Sequence, residues 1–428
     1  MIIFPPELQL RDNNLARVSA RFIADGKEDS LWFEVDKKYA EYLVTDRIDA
    51  FLVGLLPLAM RLGEGIELRH PVSQRTYFNI DQNLTSIINF AYPDYKVVSI
   101  THNGFAEPIP ARNGRVAATG LSCGIDSLFT VIKNSSSDVP GGYKITHGVF
   151  TNVGSHGQTD DLEGMERFQG RLRNARGCAE ELGLELILID SNMEKVLSGQ
   201  TDYDRTLTFR NASAVLVLER LISRYLHSSG ITYEYMRVRR KGKDSAAYEP
   251  MTLPCLCTDS LEFILFGGRY SRTEKTTLVS DYGPSYRWLN VCGVQADNCG
   301  HCIKCMRTML TLDILGKLDR YDQVFEMKGY EEDKYRYLAY VLATRKRKNQ
   351  HRDLAALIAE LDYHPPRKFW LYYAGYMVMF KATSVGNMVT GSIYNRLDKI
   401  PRMRSSKLLS PLRFVLFRLN KIVDHQFE

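Results

Sequence analysis

The stretch Gly120-Leu121-Ser122-Cys123-Gly124-Ile125-Asp126-Ser127 decides the fold of this chain. An apolar run that begins at Val116 leads into it, and the mostly apolar segment Leu128-Phe129-Thr130-Val131-Ile132 follows, so the pattern predicts a strand, a tight loop and a helix. Small residues let the loop backbone approach a ligand closely, and the free amides at the start of the helix face that ligand. Because the positive end of the helix dipole also lies there, we expect an anion.

Other functions fit the same loop. It lacks the Gly-x-x-x-x-Gly-Lys-Ser/Thr pattern of a Walker phosphate loop. Gly120-Leu121-Ser122-Cys123-Gly124 matches the Gly-x-Ser-x-Gly elbow of α/β-hydrolases, in which Ser122 would be the nucleophile of an esterase. A purely structural glycine turn is a third interpretation. The loop alone favours phosphate binding, and residues further along the chain have to decide.

Length and composition describe an ordinary globular protein. The chain has 428 residues, which predicts two or three domains, and 44% of them are hydrophobic. Its net charge of +6 is too mild to indicate nucleic-acid binding by itself. The first residues lack the basic and apolar segments of a signal peptide, and no apolar run is long enough to span a bilayer. These features predict a cytoplasmic protein with reduced thiols.

The first part of the chain, residues 1–112, is expected to form an accessory α+β domain. Two segments with alternating apolar residues flank Asp25-Gly26, which predicts a hairpin. A buried helix interrupted by Pro57 is predicted for Ile48–Leu62. No group of catalytic residues stands out in this region.

Residues 113–318 alternate between strand and helix patterns, which predicts a Rossmann-like parallel sheet covered by helices. Ligands of such sheets bind beyond the carboxyl ends of the strands, where the Ser122 loop and Phe150-Thr151-Asn152 would both lie. Further strands are predicted at Lys144–Val153, Leu184–Ile189 and Ile231–Val238, and helices at Leu162–Leu182 and Leu207–Leu226.

The last part of the chain, residues 319–428, is predicted to be helical, with amphipathic helices at Glu331–Arg345 and Asp353–Leu361. After Asn395 the tail mixes basic with apolar residues. Such a helix binds anionic lipid or nucleic acid in some proteins, but a surface helix packed on its own protein is the interpretation that we favour.

Four of the eight cysteines lie in one short segment and predict a metal site: Cys292, Cys299, Cys302 and Cys305. Two overlapping Cys-x-x-Cys pairs and a nearby fourth thiol match the tetrahedral arrangement that zinc prefers. An iron–sulfur cluster is the less favoured alternative, because the closing Cys-x-x-x-Cys-Pro of ferredoxin-type runs is missing. A closed four-cysteine site has no open position, so it would be structural, with His301 a neighbour rather than a ligand.

The loop resembles the Ser-Gly-Gly-x-Asp-Ser pyrophosphate loop of the ATP pyrophosphatase (PP-loop) superfamily. Ser122, Gly124, Asp126 and Ser127 match that pattern, whereas Cys123 replaces the first glycine and could crowd the phosphates. The resemblance implies that the loop grips the β- and γ-phosphates of ATP while the α-phosphate is attacked, which yields an adenylate and pyrophosphate. Because a bare carboxylate is repelled by phosphate, we expect Asp126 to organise Mg²⁺.

Together, the loop and the cysteine segment resemble the 7-cyano-7-deazaguanine synthase (QueC) family over residues 113–318. Arg210-Asn211 matches an Arg-Asn pair of that family, and Lys275-Thr276-Thr277-Leu278-Val279 resembles the Lys-x-x-Ile-Val helix start before its zinc segment. The family's Tyr-Pro-Asp-Cys-Arg segment is absent, and Ser155-His156-Gly157 stands where it has Gln-Arg-His. Fold and adenylation chemistry therefore transfer better than the substrate.

The resemblance implies an ATP-dependent ligase with ATP, Mg²⁺ and Zn²⁺. A carboxylate or amide of a small molecule such as 7-carboxy-7-deazaguanine would be adenylated and then attacked by ammonia or another amine, with a partner protein as a possible acceptor or nitrogen donor. An inactive PP-loop module in a defence or surface-polysaccharide complex is an alternative. The implied catalytic residues are Ser122, Asp126, Ser127, Arg210 and Lys275, and the implied nucleotide-binding residues are Leu121, Ser122, Cys123, Gly124, Ile125, Asp126, Ser127, Leu128, Phe150 and Asn152.

Overall fold

A mixed sheet of eleven strands organises the described residues up to Asn290. The structure, a computed structural model, describes residues 1–110, 114–157, 162–242 and 244–378. Its internal contacts divide the chain into two units, Met1–Asn290 and a second that begins at Val291.

The strands of the described residues all lie in the first unit. They are β1 (Ile2–Ile3), β2 (Glu7–Leu10), β3 (Leu15–Ala24), β4 (Lys27–Asp36), β5 (Ile66–Leu68), β6 (Val72–Ser73), β7 (Ile100–Thr101), β8 (Phe105–Ala106), β9 (Val116–Gly120), β10 (Ile145–Thr151), β11 (Glu185–Ser191), β12 (Ile222–Ser228) and β13 (Glu262–Phe266). The helices of the same unit are α1 (Asp49–Leu62), α2 (Gln74–Asn79), α3 (Thr85–Ala91), α4 (Ile125–Asn134), α5 (Leu162–Glu181), α6 (Met193–Leu197), α7 (Tyr203–Leu216), α8 (Glu249–Leu256), α9 (Arg272–Val279) and α10 (Ser285–Trp288).

Five neighbouring strands are parallel, in the order β13-β12-β9-β10-β11. β9 lies in the middle, and the strands that follow it in the chain are added first on one side and then on the other. The strand order therefore reverses between β9 and β12. In open α/β sheets, ligands bind beyond the carboxyl ends of the strands at such a switch point. The loop that begins at Leu121 leaves β9 there, so the expected parallel α/β architecture is confirmed.

Helices cover both faces of this parallel region. Ser228 of β12 contacts Thr130 of α4, with the two hydroxyl oxygens 2.8 Å apart. Its neighbour His227 contacts Glu249 of α8. Because successive side chains of a strand point to opposite faces, α4 and α8 lie on opposite sides of the sheet. The switch point is therefore a crevice with one helix layer on either side.

The N-terminal hairpin is confirmed and extends the same sheet. β3 and β4 pair antiparallel around Asp25-Gly26, whose φ values of 50° and 69° suit a tight two-residue turn. One row of buried side chains comes from each strand, namely Val18, Ala20 and Phe22 from β3 and Leu31, Phe33 and Val35 from β4. β4 also pairs antiparallel with β11. The sheet thus continues across position 112, where the sequence predicts a domain boundary.

Two predicted elements of the parallel region are wrong. The helix predicted for Leu207–Leu226 ends at Leu216, and its last residues belong to β12. The strand predicted for Ile231–Val238 contains only a short 3-10 turn, Tyr233–Tyr235. Apolar residues at 217–218, 221–222 and 225–226 recur at a helical spacing, but pairing with β9 and β13 decides the conformation of β12. In addition, α1 runs through Pro57 without a break.

The second unit is helical in its described part. It contains α11 (Ile303–Ile314), α12 (Met327–Thr344) and α13 (Asn349–Glu360), and residues 367–378 are helical as well. The two amphipathic helices predicted from the sequence correspond to α12 and α13. The basic tail after Asn395 lies outside the described residues. None of the described helices combines the length and the hydropathy that crossing a membrane requires.

Candidate functional site

The loop between β9 and α4 consists of residues 121–124, and Gly124 caps the helix with an extended backbone. The side chains of Leu121 and Ile125 are buried and anchor its two ends. The exposed Ser122 hydroxyl lies 3.4 Å from both the Ser127 hydroxyl and the Gly124 amide. The loop therefore presents hydroxyl groups and the start of a helix to the crevice. In the described part of the chain, no histidine hydrogen-bonds to Ser122.

Cys123 occupies the position where the PP-loop pattern has glycine, and its φ of +59° is one that glycine adopts more easily. Its thiol is fully buried and hydrogen-bonds to Cys178 of α5, and this contact, together with burial, raises its pKa well above the ordinary value. Its carbonyl oxygen accepts a hydrogen bond of 2.9 Å from the Asn290 amide. The thiol thus faces the protein interior, so the predicted crowding of phosphates is not seen.

Two cations from α9 meet Asp126 in the first turn of α4. Lys275 Nζ lies 3.2 Å from one carboxylate oxygen, and the Arg272 guanidinium forms an ion pair with the other. The side chain of Lys275 is 2% exposed and that of Arg272 16% exposed. Asp126 and Lys275, which the sequence predicts in one site, are therefore brought together.

Lys275 is held by several parts of the carboxyl edge. Its ammonium group donates to the carbonyl oxygen of Ser229, which follows β12, and lies 5.5 Å from the centre of the Phe129 ring. Gly267 follows β13 with a φ of +80°, and a side chain there would press on Phe129. Burial lowers the pKa of Lys275, whereas the Asp126 carboxylate opposes that shift. The ammonium group therefore depends on a nearby anion.

Arg210 does not reach the loop. It lies in the middle of α7 rather than at its start, and its side chain is 1% exposed. Its guanidinium donates to the Val153 carbonyl over 2.9 Å, to Thr206 and to the carboxylate of Glu194. Since its partners are within the protein, its contact with phosphate or substrate stays a prediction.

Of the two predicted nucleotide residues at the end of β10, Asn152 lines a separate polar cavity and Phe150 does not. Phe150 is buried and stacks on His156, with ring centres 5.2 Å apart. The Asn152 amide donates to Asp190 over 2.7 Å. Asn152 and Asp190 line a cavity of about 290 Å³ at the carboxyl ends of β10 and β11, together with Asp29, Trp32, Gly157, Ser191, Asn192, Glu194, Lys195 and Val196. The cavity supplies hydrogen-bonding groups at the carboxyl ends of β10 and β11.

The sequence does not indicate Arg272 as a site residue. It lies three residues before Lys275, and only Lys275 belongs to the segment that resembles the family pattern. The available signal is the capping box of α9, in which Ser271 and Glu274 bond reciprocally to backbone amides. A capping box locates the first helical residue and so places Arg272 and Lys275 on neighbouring turns. It does not reveal their common partner.

The four predicted metal-binding cysteines lie together in the second unit. Their Sγ atoms are all within 4.8 Å of one another, and the pairs Cys292–Cys302 and Cys299–Cys305 are each 4.0 Å apart. Tetrahedral coordination with Zn–S bonds of about 2.3 Å places sulfur atoms about 3.8 Å apart, close to this arrangement. All four cysteines are buried. They could therefore hold a metal ion such as zinc.

Backbone amides point at the sulfur atoms of this cluster. The amides of Val294 and Gln295 lie 3.4 and 3.3 Å from Cys292 Sγ, and the amide of Cys302 lies 3.3 Å from Cys299 Sγ. Cys302 caps α11 and Cys305 lies in its first turn, where the helix dipole favours thiolates. These donors stabilise the charged form of sulfur that binds metals.

No protein-family model, no curated protein and no solved structure matches the chain. The resemblance to PP-loop enzymes therefore depends on the matched residues and on the geometry around them.

Proposed function

We propose that this chain is an ATP-dependent ligase of the PP-loop type, which adenylates a carboxylate or amide and releases pyrophosphate. The observation that carries the proposal is the meeting of three anion-binding features at the switch point of the parallel sheet. These are the loop that starts at Leu121, the N-terminus of α4 and the two α9 cations. Each of them favours a polyphosphate.

Asp126 has two tasks in this proposal. Without nucleotide it neutralises Lys275 and Arg272. When the β- and γ-phosphates occupy the loop, both cations would turn to phosphate oxygens, and the freed carboxylate would be the residue to hold Mg²⁺, which would supply further neutralising charge. Ser122 and Ser127 donate hydrogen bonds from their hydroxyl groups to the same phosphates. Lys275 and Arg272 thus exchange the Asp126 carboxylate for phosphate oxygens of the ligand.

The reaction then needs positioning more than covalent participation of the protein. A substrate oxygen attacks the α-phosphorus, the bond to the bridging oxygen breaks, and pyrophosphate leaves with the electron pair. The loop amides, Lys275 and Arg272 stabilise the charge of the leaving group. The cavity at Asn152 supports placement of the adenosine end there, as the sequence predicts. Ammonia or another amine, free or delivered by a partner protein, displaces AMP.

The alternatives have less support. For a serine esterase, the Ser122 hydroxyl needs a histidine partner, whereas its hydrogen-bond partners are Ser127 and the Gly124 amide. An inactive binding module would use the same loop and cations to hold phosphate, and nucleotide turnover separates it from an enzyme. Zinc at the four cysteines would be structural in all of these cases.

The test is to identify the nucleotide products formed from ATP, Mg²⁺, ammonia and 7-carboxy-7-deazaguanine. AMP and pyrophosphate are expected, and Asp126→Ala should abolish them while the fold is retained. Asp138→Ala, an exposed acid beyond the end of α4, is the matched control and should keep full activity. ADP and phosphate would contradict the role assigned to the loop. Absence of any AMP would contradict adenylation of this acceptor and favour the inactive module.

A further inference from the structure

A buried histidine–carboxylate pair lies beside the phosphate loop and has no part in the adenylation step. His227 Nε2, near the end of β12, lies 2.8 Å from Glu249 Oε1, in the first turn of α8. The side chain of His227 is 16% exposed and that of Glu249 is 4% exposed. Burying such a pair costs desolvation energy. Because titratable groups that are buried near a binding site are often functional, the pair is a candidate for a chemical role.

One oxygen of the Glu249 carboxylate is held by two side chains, whereas its Oε2 is buried without a hydrogen-bond partner among the described residues. Its Oε1 also accepts a hydrogen bond of 3.1 Å from the Thr208 hydroxyl of α7, which in turn lies 2.9 Å from the Ser245 hydroxyl. The carboxylate can only accept, so His227 donates through Nε2, and its basic lone pair is then on Nδ1. His227 has no other hydrogen bond to the described residues. Nδ1 is thus left available as a proton acceptor.

The register of the sheet places His227 at the switch point. Leu226 of β12 pairs with Thr119 of β9, so the next residue of each strand, His227 and Gly120, lies at the level where the phosphate loop begins. Ser228 faces α4, and His227 therefore faces the opposite layer, which contains α7 and α8. The Glu249 carboxylate also acts on Lys275, whose pKa it raises against the effect of burial. The pair thus lies at the carboxyl edge of the sheet, level with the start of the phosphate loop and on the face opposite to α4.

We propose that His227, oriented by Glu249, is the general base of the second half-reaction, in which an amine nucleophile displaces AMP. The assignment rests on the proposed function. The amine nitrogen attacks the carbonyl carbon of the acyl adenylate, and the bond from that carbon to the phosphate oxygen breaks, so that AMP leaves with its electron pair. Nδ1 takes the proton that the nitrogen loses. The first half-reaction, attack by a carboxylate, releases no proton and needs no base.

The test separates the two half-reactions. Exchange of labelled pyrophosphate into ATP, with 7-carboxy-7-deazaguanine as the acid, reports adenylation, and amide formed from ammonia reports transfer. His227→Gln should lower the ratio of amide formation to exchange about 100-fold, the usual size of a general-base contribution. Hydroxylamine, a free base at neutral pH and a strong nucleophile, should restore most of the transfer as hydroxamate.

A matched control exists in the same sheet. His147 of β10 lies 3.3 Å from Glu185, which forms a second histidine–glutamate pair near the amino ends of the strands. His147→Gln should leave the ratio unchanged. If His227→Gln lowered exchange and amide formation equally, and hydroxylamine did not rescue transfer, the role assigned to His227 would be wrong. The proposed function would not be affected. Absence of exchange in the unchanged protein would overturn the proposed function and this assignment with it.

Glu249 is tested as a positioning residue through the pH profile. Burial lowers the pKa of His227, but the facing Glu249 carboxylate outweighs it and holds that pKa above its ordinary value. The other titratable groups near the pair are Tyr225 on β12 and Lys275 on α9. Glu249→Gln should therefore shift the rise of amide formation, measured relative to exchange, to lower pH. An unshifted rise would exclude Glu249 from this role.

Discussion

The phosphate loop and the four-cysteine segment have a similar backbone arrangement but differ in how their charges are neutralised. Each is a tight turn that contains a left-handed residue and leads into a helix, with Cys123 before α4 and Gly300 before α11. In the loop, the Asp126 carboxylate and the α9 cations neutralise one another. In the cysteine segment, four sulfur atoms lie within 4.8 Å, and thiolates at that distance repel each other without a metal. We therefore expect that the first site can fold before its ligand binds, and that the second needs a metal for stability.

The largest effect is expected from removing one cysteine ligand. Cys302→Ser should lose the metal and destabilise the second unit strongly, because binding of a structural zinc contributes about 10 kcal/mol or more to folding. Metal content by mass spectrometry and thermal unfolding measure both effects. Cys255→Ser, a buried cysteine outside the cluster, is the control and should keep the metal. If the Cys302→Ser protein were as stable as the unchanged one, the four-cysteine segment would not need a metal for stability, and this difference from the phosphate loop would be refuted.

A smaller effect on folding and a large one on turnover are expected at the loop. Asp126→Asn leaves Lys275 and Arg272 without their internal anion, so inorganic pyrophosphate should stabilise the variant more than the unchanged protein in thermal unfolding. AMP formation should fall about 1,000-fold, since the Mg²⁺ ligand is lost. If pyrophosphate stabilised the unchanged protein equally, Asp126 would not compete with phosphate for the two cations.

The different outcomes of sequence prediction follow from distance along the chain. The cysteine ligands lie within one short segment, so their spacing alone predicts the cluster that the structure forms. Asp126 and Lys275 are 149 residues apart, and only a resemblance to known enzymes suggested that they meet. No spacing rule indicates that Arg272 joins them.

The sequence does not predict the His227–Glu249 pair, because the helix predicted for Leu207–Leu226 includes residues 222–226, the first part of β12. Before His227, apolar residues at 217–218, 221–222 and 225–226 recur at a spacing that fits a helix. The conformation of β12 is decided by hydrogen bonds to β9 and β13, which are formed by distant parts of the chain. A helix over residues 222–226 gives no reason to expect His227 at the carboxyl edge of a sheet.

The amino edge of the sheet offers a third type of site, in which a buried carboxyl group has a raised pKa although an arginine lies 3.6 Å away. Glu219 is fully buried near Arg47 and Thr258, and burial raises its pKa from 4.5 to about 7. A raised carboxyl pKa favours folding below pH 4.5, and this contribution is lost as the pH rises through 7. Stability should therefore fall by up to about 3 kcal/mol over that window. Denaturant unfolding from pH 4 to 8 measures it, and Glu219→Gln should flatten the curve; an equally steep curve would contradict this.

The smallest effect is expected at Cys123, where the loop departs from the PP-loop pattern. Its left-handed backbone costs about 1 kcal/mol in any residue with a Cβ, so Cys123→Gly should be about that much more stable than Cys123→Ala, which loses the same buried thiol. Because the thiol faces Cys178 and not the loop's open side, both variants should form AMP at nearly the unchanged rate. A tenfold change in AMP formation, with stability accounted for, would mean that the thiol acts on the phosphates. Cys123 would then influence catalysis directly, and the activity of the loop would depend on the buried contact between Cys123 and Cys178.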